Sequence, residues 1–329
     1  MTRRGVAAVI ALVLASITID AAAQSPGKVY RVGFLTIGAA SVPVVSATLD
    51  GLVRGLERHG YSVGTNLLIE SRFADGNADR LPGLVKELLG SGVDVIVTLS
   101  YPAARAVKEG TTTVPIVVAG ASDPVETGLV ASLSRPGGNI TGISDMAAEL
   151  SAKRLELLKT AVPSLNRVAI LFNAKDAGMT ARYRKASAAA ATMGITVQSL
   201  GVREPDDFDA AFAAMIGEMP GGILMVTDVL TNLNRKRIIE FAAAHRVPAI
   251  FELEYLVREG GLMSYGVERS ETSERVADLI DRILKGAKPA DLPFEQPTRF
   301  RFVINRKTAD ALGLAIPESL YDRADEVIE

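Results

Sequence analysis

The sequence predicts an α/β protein built as two tandem halves, each a parallel sheet covered by helices on both faces. Three observations carry that prediction. From Lys28 onward, short apolar runs alternate with amphipathic ones, the pattern of strand–helix units whose strands are buried on both sides. The alternation runs through once as far as Gly120–Ser144 and begins again at Glu149. The chain's 329 residues, 48% of them hydrophobic, exceed what a single small core uses.

Each element has its own signal. "YRVGFLTI" (Tyr30–Ile37) is a buried strand, and "VVSATLDGLVRGLERHG" is a helix with Leu49, Leu52, Val53 and Leu56 on one stripe and Gly60 as its stop. "NLLIESRFA" is strand-like, and "DRLPGLVKELLGSG" is helical with Pro82 in its first turn, where a missing N–H costs nothing. "VDVIVTLS", "PAARAVKEG" and "VPIVVAG" then read as strand, helix and strand. In the second half, "ELSAKRLELLKTAVP" is a helix closed before Pro163, "NRVAILF" a strand, and "TARYRKASAAAATMG" a helix stopped by Gly194. "ITVQSLGV", "DDFDAAFAAMIGEM", "GGILMVTD" and "NRKRIIEFAAAHR" continue the alternation. "VPAIFE" and "GGLMSYG" close it as strands, before a helix at "TSERVADLIDRILKG".

Between the halves, Arg135-Pro136-Gly137-Gly138-Asn139 combines a fixed dihedral with two free ones, suited to a change of direction feeding "ITGIS" before a hinge. No lysine and helix follow it, so it is a connection and not a phosphate cradle. The tail "EQPTRFRFVINRKTADALGL" adds a strand and a helix and is expected to cross back, tying the halves by more than one strand of chain. The expected division is residues 28–145 as lobe 1 with part of 268–329, and 146–267 as lobe 2 with the remainder of the C-terminal segment.

The amino terminus reads as an export signal. Arg3 and Arg4 precede an apolar run over Val6–Ile19, and Ala21-Ala22-Ala23 follows as a small-residue exit. The run falls short of the roughly 20 residues a spanning helix needs, so residues 1–23 are expected to be a cleaved signal peptide. With no Cys in the chain there is no acylation point, which predicts a periplasmic product and not a lipoprotein. Packing, not disulfides, must supply the stability.

Composition narrows the function. The formal net charge is −2 with no extended basic run, which argues against a nucleic-acid partner. There is no Cys nucleophile, no G-x-x-x-x-G-K-[ST], no dinucleotide fingerprint and no G-x-S-x-G elbow. The two histidines, His59 and His245, fall at the ends of expected helices, where the dipole alone favours them. No catalytic residue, metal or cofactor is assigned.

In open α/β sheets, ligands bind at the C-terminal ends of the strands, where helix N-termini offer unpaired N–H groups. In the first half these ends carry Ser41, Ser100, Tyr101, Ala103, Ser122 and Asp123. Each Ser or Asp there also suits a simple helix cap. In the second half they carry Asn173, Asp228, Phe251, Glu252 and Glu254. A carboxylate such as Asp228 suits an ammonium group, and Tyr101, Phe251 and Tyr255 offer apolar walls, with core packing the simpler role for Phe251.

From about Arg31 to its end, the chain resembles the ABC-transporter substrate-binding family, in its tryptophan/tyrosine-type transport component. The resemblance rests on "DRLPGLVKELL", "DPVETGLVASLSRPGGNITG", "KRLELLK", "GGLMSYG", "LPFEQPTRFRFVIN" and "RADEVIE". It implies a periplasmic-binding-protein-like fold: two Rossmann-like lobes joined by hinge strands, closing on a small ligand without chemistry. The partners it implies are that ligand and a membrane permease driven by an ATPase, with the chain acting as a monomer. The ligand class is an amino acid, aromatic in characterised relatives, or a related small carboxylate. Ser41, Ser100 and Ala103 would receive the carboxylate and Asp228 the ammonium, with Tyr101 and Phe251 beside the side chain. The chain departs from the amino-acid-type pattern at "YGVERSETSERVA", where Glu268 and Arg269 alter the charge. Two other classes fit parts of the sequence: an exported two-domain enzyme using Asp123, Asp228 or Glu252 as acid or base, and a ligand-sensing module of a membrane receptor.

Overall fold

The strands sort into two sheets. The computed structural model describes residues 28–121 and 123–329; the expected signal peptide and Ser122 lie outside the described residues. The first sheet holds β1 (Tyr30–Thr36), β2 (Leu67–Phe73), β3 (Val95–Leu99), β4 (Ile116–Ala121) and β5 (Ile140–Ser144), in the order β2-β1-β3-β4-β5, all parallel. Between them run α1 (Pro43–Arg58), α2 (Leu81–Gly90) and α3 (Tyr101–Gly110). The second sheet begins after α4 (Ala147–Ala161) and contains β6 (Arg167–Asn173), β7 (Thr196–Val202), β8 (Ile223–Met225), β9 (Ala249–Phe251), β10 (Met263–Val267), β11 (Phe300–Asn305) and β12 (Glu326–Ile328). Its order is β12-β11-β10-β9-β8-β6-β7. The remaining helices are α5 (Ala177–Thr192), α6 (Asp207–Gly217), α7 (Val229–Leu233), α8 (Arg235–Ala244), α9 (Glu254–Arg258), α10 (Arg269–Leu284), α11 (Arg306–Leu312) and α12 (Glu318–Tyr321).

Period-two burial on both faces explains why the central strands read as continuous apolar runs. Val32, Phe34, Val95, Val97 and Val117 enter one core, while Leu35, Ile96, Ile116 and Val118 enter the core on the opposite face. In the second sheet, Val168, Ile170 and Leu224 face one core, and Ala169, Leu171, Ile223 and Met225 the other. Each fully buried Phe or Leu in these layers contributes about 1.5–3 kcal/mol.

The chain crosses between sheets three times. The first crossing is the turn at Asp145–Met146, between β5 and α4. "ITGIS" is therefore the edge strand of the first sheet, and the crossing comes just after it. The second leads from β10 into α10, which returns to the first sheet and packs on α1. Gly55 of α1 permits that approach, because a Cβ there would stand 2.6 Å from the Cβ of Ala277. His59 and Tyr61 fasten the same contact through Asp278 (2.7 Å) and Asp281 (3.0 Å). The third leads from Glu295, bridged to Ile143 of β5, into β11. The buried Glu271 of α10 clips the last two crossings together by accepting from Thr298 Oγ1 (2.5 Å) and the Arg299 N–H (2.8 Å).

Several features differ from the sequence expectation. β10 and β11 are antiparallel, so the second sheet is mixed. The helix expected at "TSERVADLIDRILKG" starts earlier, at Arg269. The short elements α7, α9, α12 and β12 carry too few residues for a periodic signal. Both histidines are helix C-caps, His59 on α1 and His245 on α8. No helix among the described residues is long and apolar enough to cross a membrane.

Candidate functional site

The C-terminal ends of both sets of strands open onto one cavity of about 1110 Å³ between the sheets. Ser100 directly follows β3 and Thr227 lies two residues beyond β8, the third strand of each half, and both line the cavity. The Oγ of Ser100 and the Oγ1 of Thr227 are both buried without a hydrogen-bond partner. Ser100 holds a strained backbone (φ 97°) and is the N-cap of α3, yet its side chain makes no capping bond. Tyr101 stands beside it in the first turn.

The second-lobe wall is acidic. Asp228 caps α7, its Oδ1 accepting from the Thr231 N–H (2.9 Å), while its Oδ2 accepts from Asn173 Nδ2 (2.5 Å). Burial pushes its pKa above the ordinary carboxylate range, against the hydrogen bonds from Thr231 and Asn173. Asp176, the N-cap of α5, lines the same wall and is also pushed up, by burial first and then by the charge of Asp228. Neither carboxylate forms an ion pair among the described residues.

Behind this wall lies a buried charge network. Glu252, the residue after β9, pairs with Arg182 of α5 (3.1 Å) and Arg154 of α4 (3.4 Å). Arg182 also pairs with Asp145 at the first crossing, and Arg154 Nε donates to the Tyr265 carbonyl (2.7 Å) just before the second. Burial lowers the Arg154 pKa, with Glu252 opposing. For Arg182 burial also acts downward, but Asp145 and Glu252 carry the guanidinium above its usual value. Gly266 lets β10 approach, since a Cβ there would stand 2.1 Å from the Glu252 carbonyl oxygen. Gly266→Ala is expected to cost about 1–3 kcal/mol in chemical denaturation; an unchanged midpoint would refute the close approach.

The cavity brings together Ser100, Tyr101, Asn173, Asp228 and Glu252 from the sequence candidates. The other described candidates lie elsewhere. Ser41 is exposed and caps nothing, because α1 starts at Pro43 with Val42 as its N-cap. Ala103 points into the core with Ala104 and Val107. Phe251 is fully buried in the core on the sheet face opposite Ile250, and the cavity wall begins one residue later, at Glu252. Asp123 is not part of the cavity wall; it and Glu126 pair with Lys185 of α5, joining the lobes outside it. Glu254 pairs with Arg258 and Arg301, and Tyr255 donates to Asn232 Oδ1 (2.6 Å). Arg154, Arg182, Asp145, Asp176 and Thr227 were not among the sequence candidates, and Arg269 stood out there only as a departure in charge. Of the first five only Asp176 had a local signal, as a helix-capping Asp after the strand "NRVAILF".

Two α/β lobes joined by three crossings around a cavity with apolar and charged walls are the build of a solute-binding protein. The chain belongs to the family of ABC transporter substrate binding proteins, whose profile matches residues 37–328. These are binding proteins, not enzymes. A tyrosine-binding protein of Clostridioides difficile (strain R20291) is 26% identical over 288 residues, covering 86% of this chain and 82% of that protein. Among solved structures, a conserved domain protein from Vibrio cholerae O1 biovar El Tor is 28% identical, with a TM-score of 0.86 over 91% of this chain and 100% of that one. The ABC domain in complex with L-Trp from Streptococcus pneumoniae is 26% identical, with a TM-score of 0.85 over 92% of this chain and 100% of that one.

Proposed function

We propose that this protein captures an amino acid, aromatic in its side chain, or a related small carboxylate, and delivers it to a membrane permease. The observation that carries the proposal is the pair Asp176 and Asp228, two carboxylates without an ion-pair partner, facing Ser100 and Tyr101 across the cavity. An ammonium suits those carboxylates, and an apolar ring suits the Tyr101 side of the wall. The names of two relatives, one tyrosine-binding and one complexed with L-Trp, support the same class. Export by a cleaved segment over residues 1–23 and action as a monomer in the periplasm complete the reading.

Capture in such a cleft is a population shift towards the closed form. The test is a thermal-shift screen of the twenty amino acids and of simple organic acids. A true ligand at one hundred times its Kd stabilises the protein by about 2.7 kcal/mol, with no turnover. A flat screen would overturn the proposal.

A further inference from the structure

Arg269, half-buried, differs from the buried cations of the cavity wall in having no counter-charge, although the Nε of Arg182 is likewise buried without a partner. Arg154 and Arg182 share Glu252 and Asp145 as counter-charges. Arg269 lines the cavity at the first position of α10, where the chain leaves β10 for the first lobe. Its Nη2 donates to Thr48 Oγ1 and to the Val44 carbonyl (3.5 Å), both on α1. Its Nε is buried with no partner, and it makes no ion pair with any described carboxylate. The adjacent Glu268 faces the other way, accepting from Ser270 Oγ (2.7 Å) and pairing with Arg299.

Three costs therefore fall on one guanidinium. It is largely desolvated, it keeps a buried donor unpaired, and it sits at the positive end of a 16-residue helix. Burial draws its pKa down to about 10, so it remains charged at neutral pH. The other unpaired cations on the rim, Lys175 and Arg203, are exposed and hydrated, and being unpaired costs them little. An anion entering the cavity would offset all three costs at Arg269 and none at the rim. Ser100, with its own unpartnered buried hydroxyl, is on the wall of the same cavity.

We propose that Arg269 is the anion-recognition residue of this cavity, taking the carboxylate of the bound solute with Ser100 Oγ as a second donor, and that it sets selectivity for acids over their amides and amines. The assignment rests on the reading of the ligand as an amino acid or small carboxylate. It moves the carboxylate contact from helix N-termini alone to a charged side chain on a crossing element. The opposite end of a zwitterion then meets Asp176 and Asp228.

The experiment compares tyrosine and tryptophan with tyrosinamide, tryptophanamide, tyramine and tryptamine, and with the amine-free acids 4-hydroxyphenylpropionate and indole-3-propionate. Affinities are measured calorimetrically for the wild type, Arg269→Gln and Arg269→Lys. The wild type is expected to prefer acids over amides by about 30-fold or more. Arg269→Gln should lose that preference by weakening acids alone, and Arg269→Lys should keep part of it. The ligand-free Arg269→Gln protein should melt no lower than the wild type, whereas a merely structural arginine would lower it. Acid selectivity that survives in Arg269→Gln or is lost entirely in Arg269→Lys, or a wild type that binds amides as well as acids, overturns the role of Arg269 and leaves the amino-acid reading standing. A wild type that binds no member of the series overturns both.

Discussion

Replacing Glu252 with Gln is expected to destabilise the protein by about 3–5 kcal/mol, the largest loss for any single change in the cavity wall. The substitution preserves shape and one acceptor oxygen, but Arg182 Nη1 donates to both Glu252 oxygens, so the loss combines the charge with one acceptor turned into a donor. Arg154 is only 2% exposed at its side chain and Arg182 8%. Arg182 retains its ion pair with Asp145, whereas Arg154 loses its only ion pair and keeps the Tyr265 carbonyl and the charge of Asp145 at longer range. A buried guanidinium without its direct partner is strongly destabilising. Adding Arg154→Met should recover much of the loss, because a hydrophobic side chain of similar length removes the stranded charge. Equilibrium denaturation of the two single variants and the double variant gives the coupling directly. A Glu252→Gln protein within about 0.5 kcal/mol of the wild type would refute this account of the network.

The same network argues for a connecting role. Replacing a buried ion cluster by apolar side chains is often neutral or stabilising, so stability alone does not explain why it is here. Its members connect the cavity wall to two of the three crossings, through Asp145 after β5 and Tyr265 near the end of β10. The network thus ties the cavity wall to the places where the chain passes between the sheets.

The layers of the fold were legible because their cause is local. Burial on both faces makes a parallel strand apolar throughout, and helices between such strands carry a stripe. The antiparallel pairing of β10 with β11 was not legible. The segment between them contains α10, which is packed on the other sheet, and strand direction leaves no mark in a run such as "RFVIN". Ser41 was misplaced for a reason the sequence does contain: Pro43 at the first helical position moves the cap to Val42. Arg154 had no such cue. In "SAKRLELLK" it looks like the polar face of an amphipathic helix, and its burial depends on Glu252, nearly one hundred residues away. Arg269 was visible as an unusual charge, but only the geometry separates it from the paired arginines.

Asp228→Asn should change ligand affinity and ligand-free stability in opposite directions. Asn caps a helix as well as Asp does, so α7 keeps its start, while the charge available to an ammonium disappears. The expected loss of affinity for an amine-bearing ligand is about 2–5 kcal/mol, roughly 30- to several-thousand-fold in Kd. The folded pKa of Asp228 is raised by burial. Its contribution to ligand-free stability is thus fully present below the unfolded carboxylate pKa and is lost as pH rises through the folded value. At neutral pH the wild type bears that penalty and Asp228→Asn does not, so the ligand-free variant should be the more stable. Binding has the opposite slope. An ammonium needs the ionised carboxylate, so wild-type affinity should rise with pH through the raised Asp228 range, and Asp228→Asn should flatten most of that rise, with Asp176 supplying the remainder. Calorimetry across pH on both proteins, with ligand-free melting alongside, reads every one of these signs. An Asp228→Asn protein that binds as tightly as the wild type would remove Asp228 from ligand recognition.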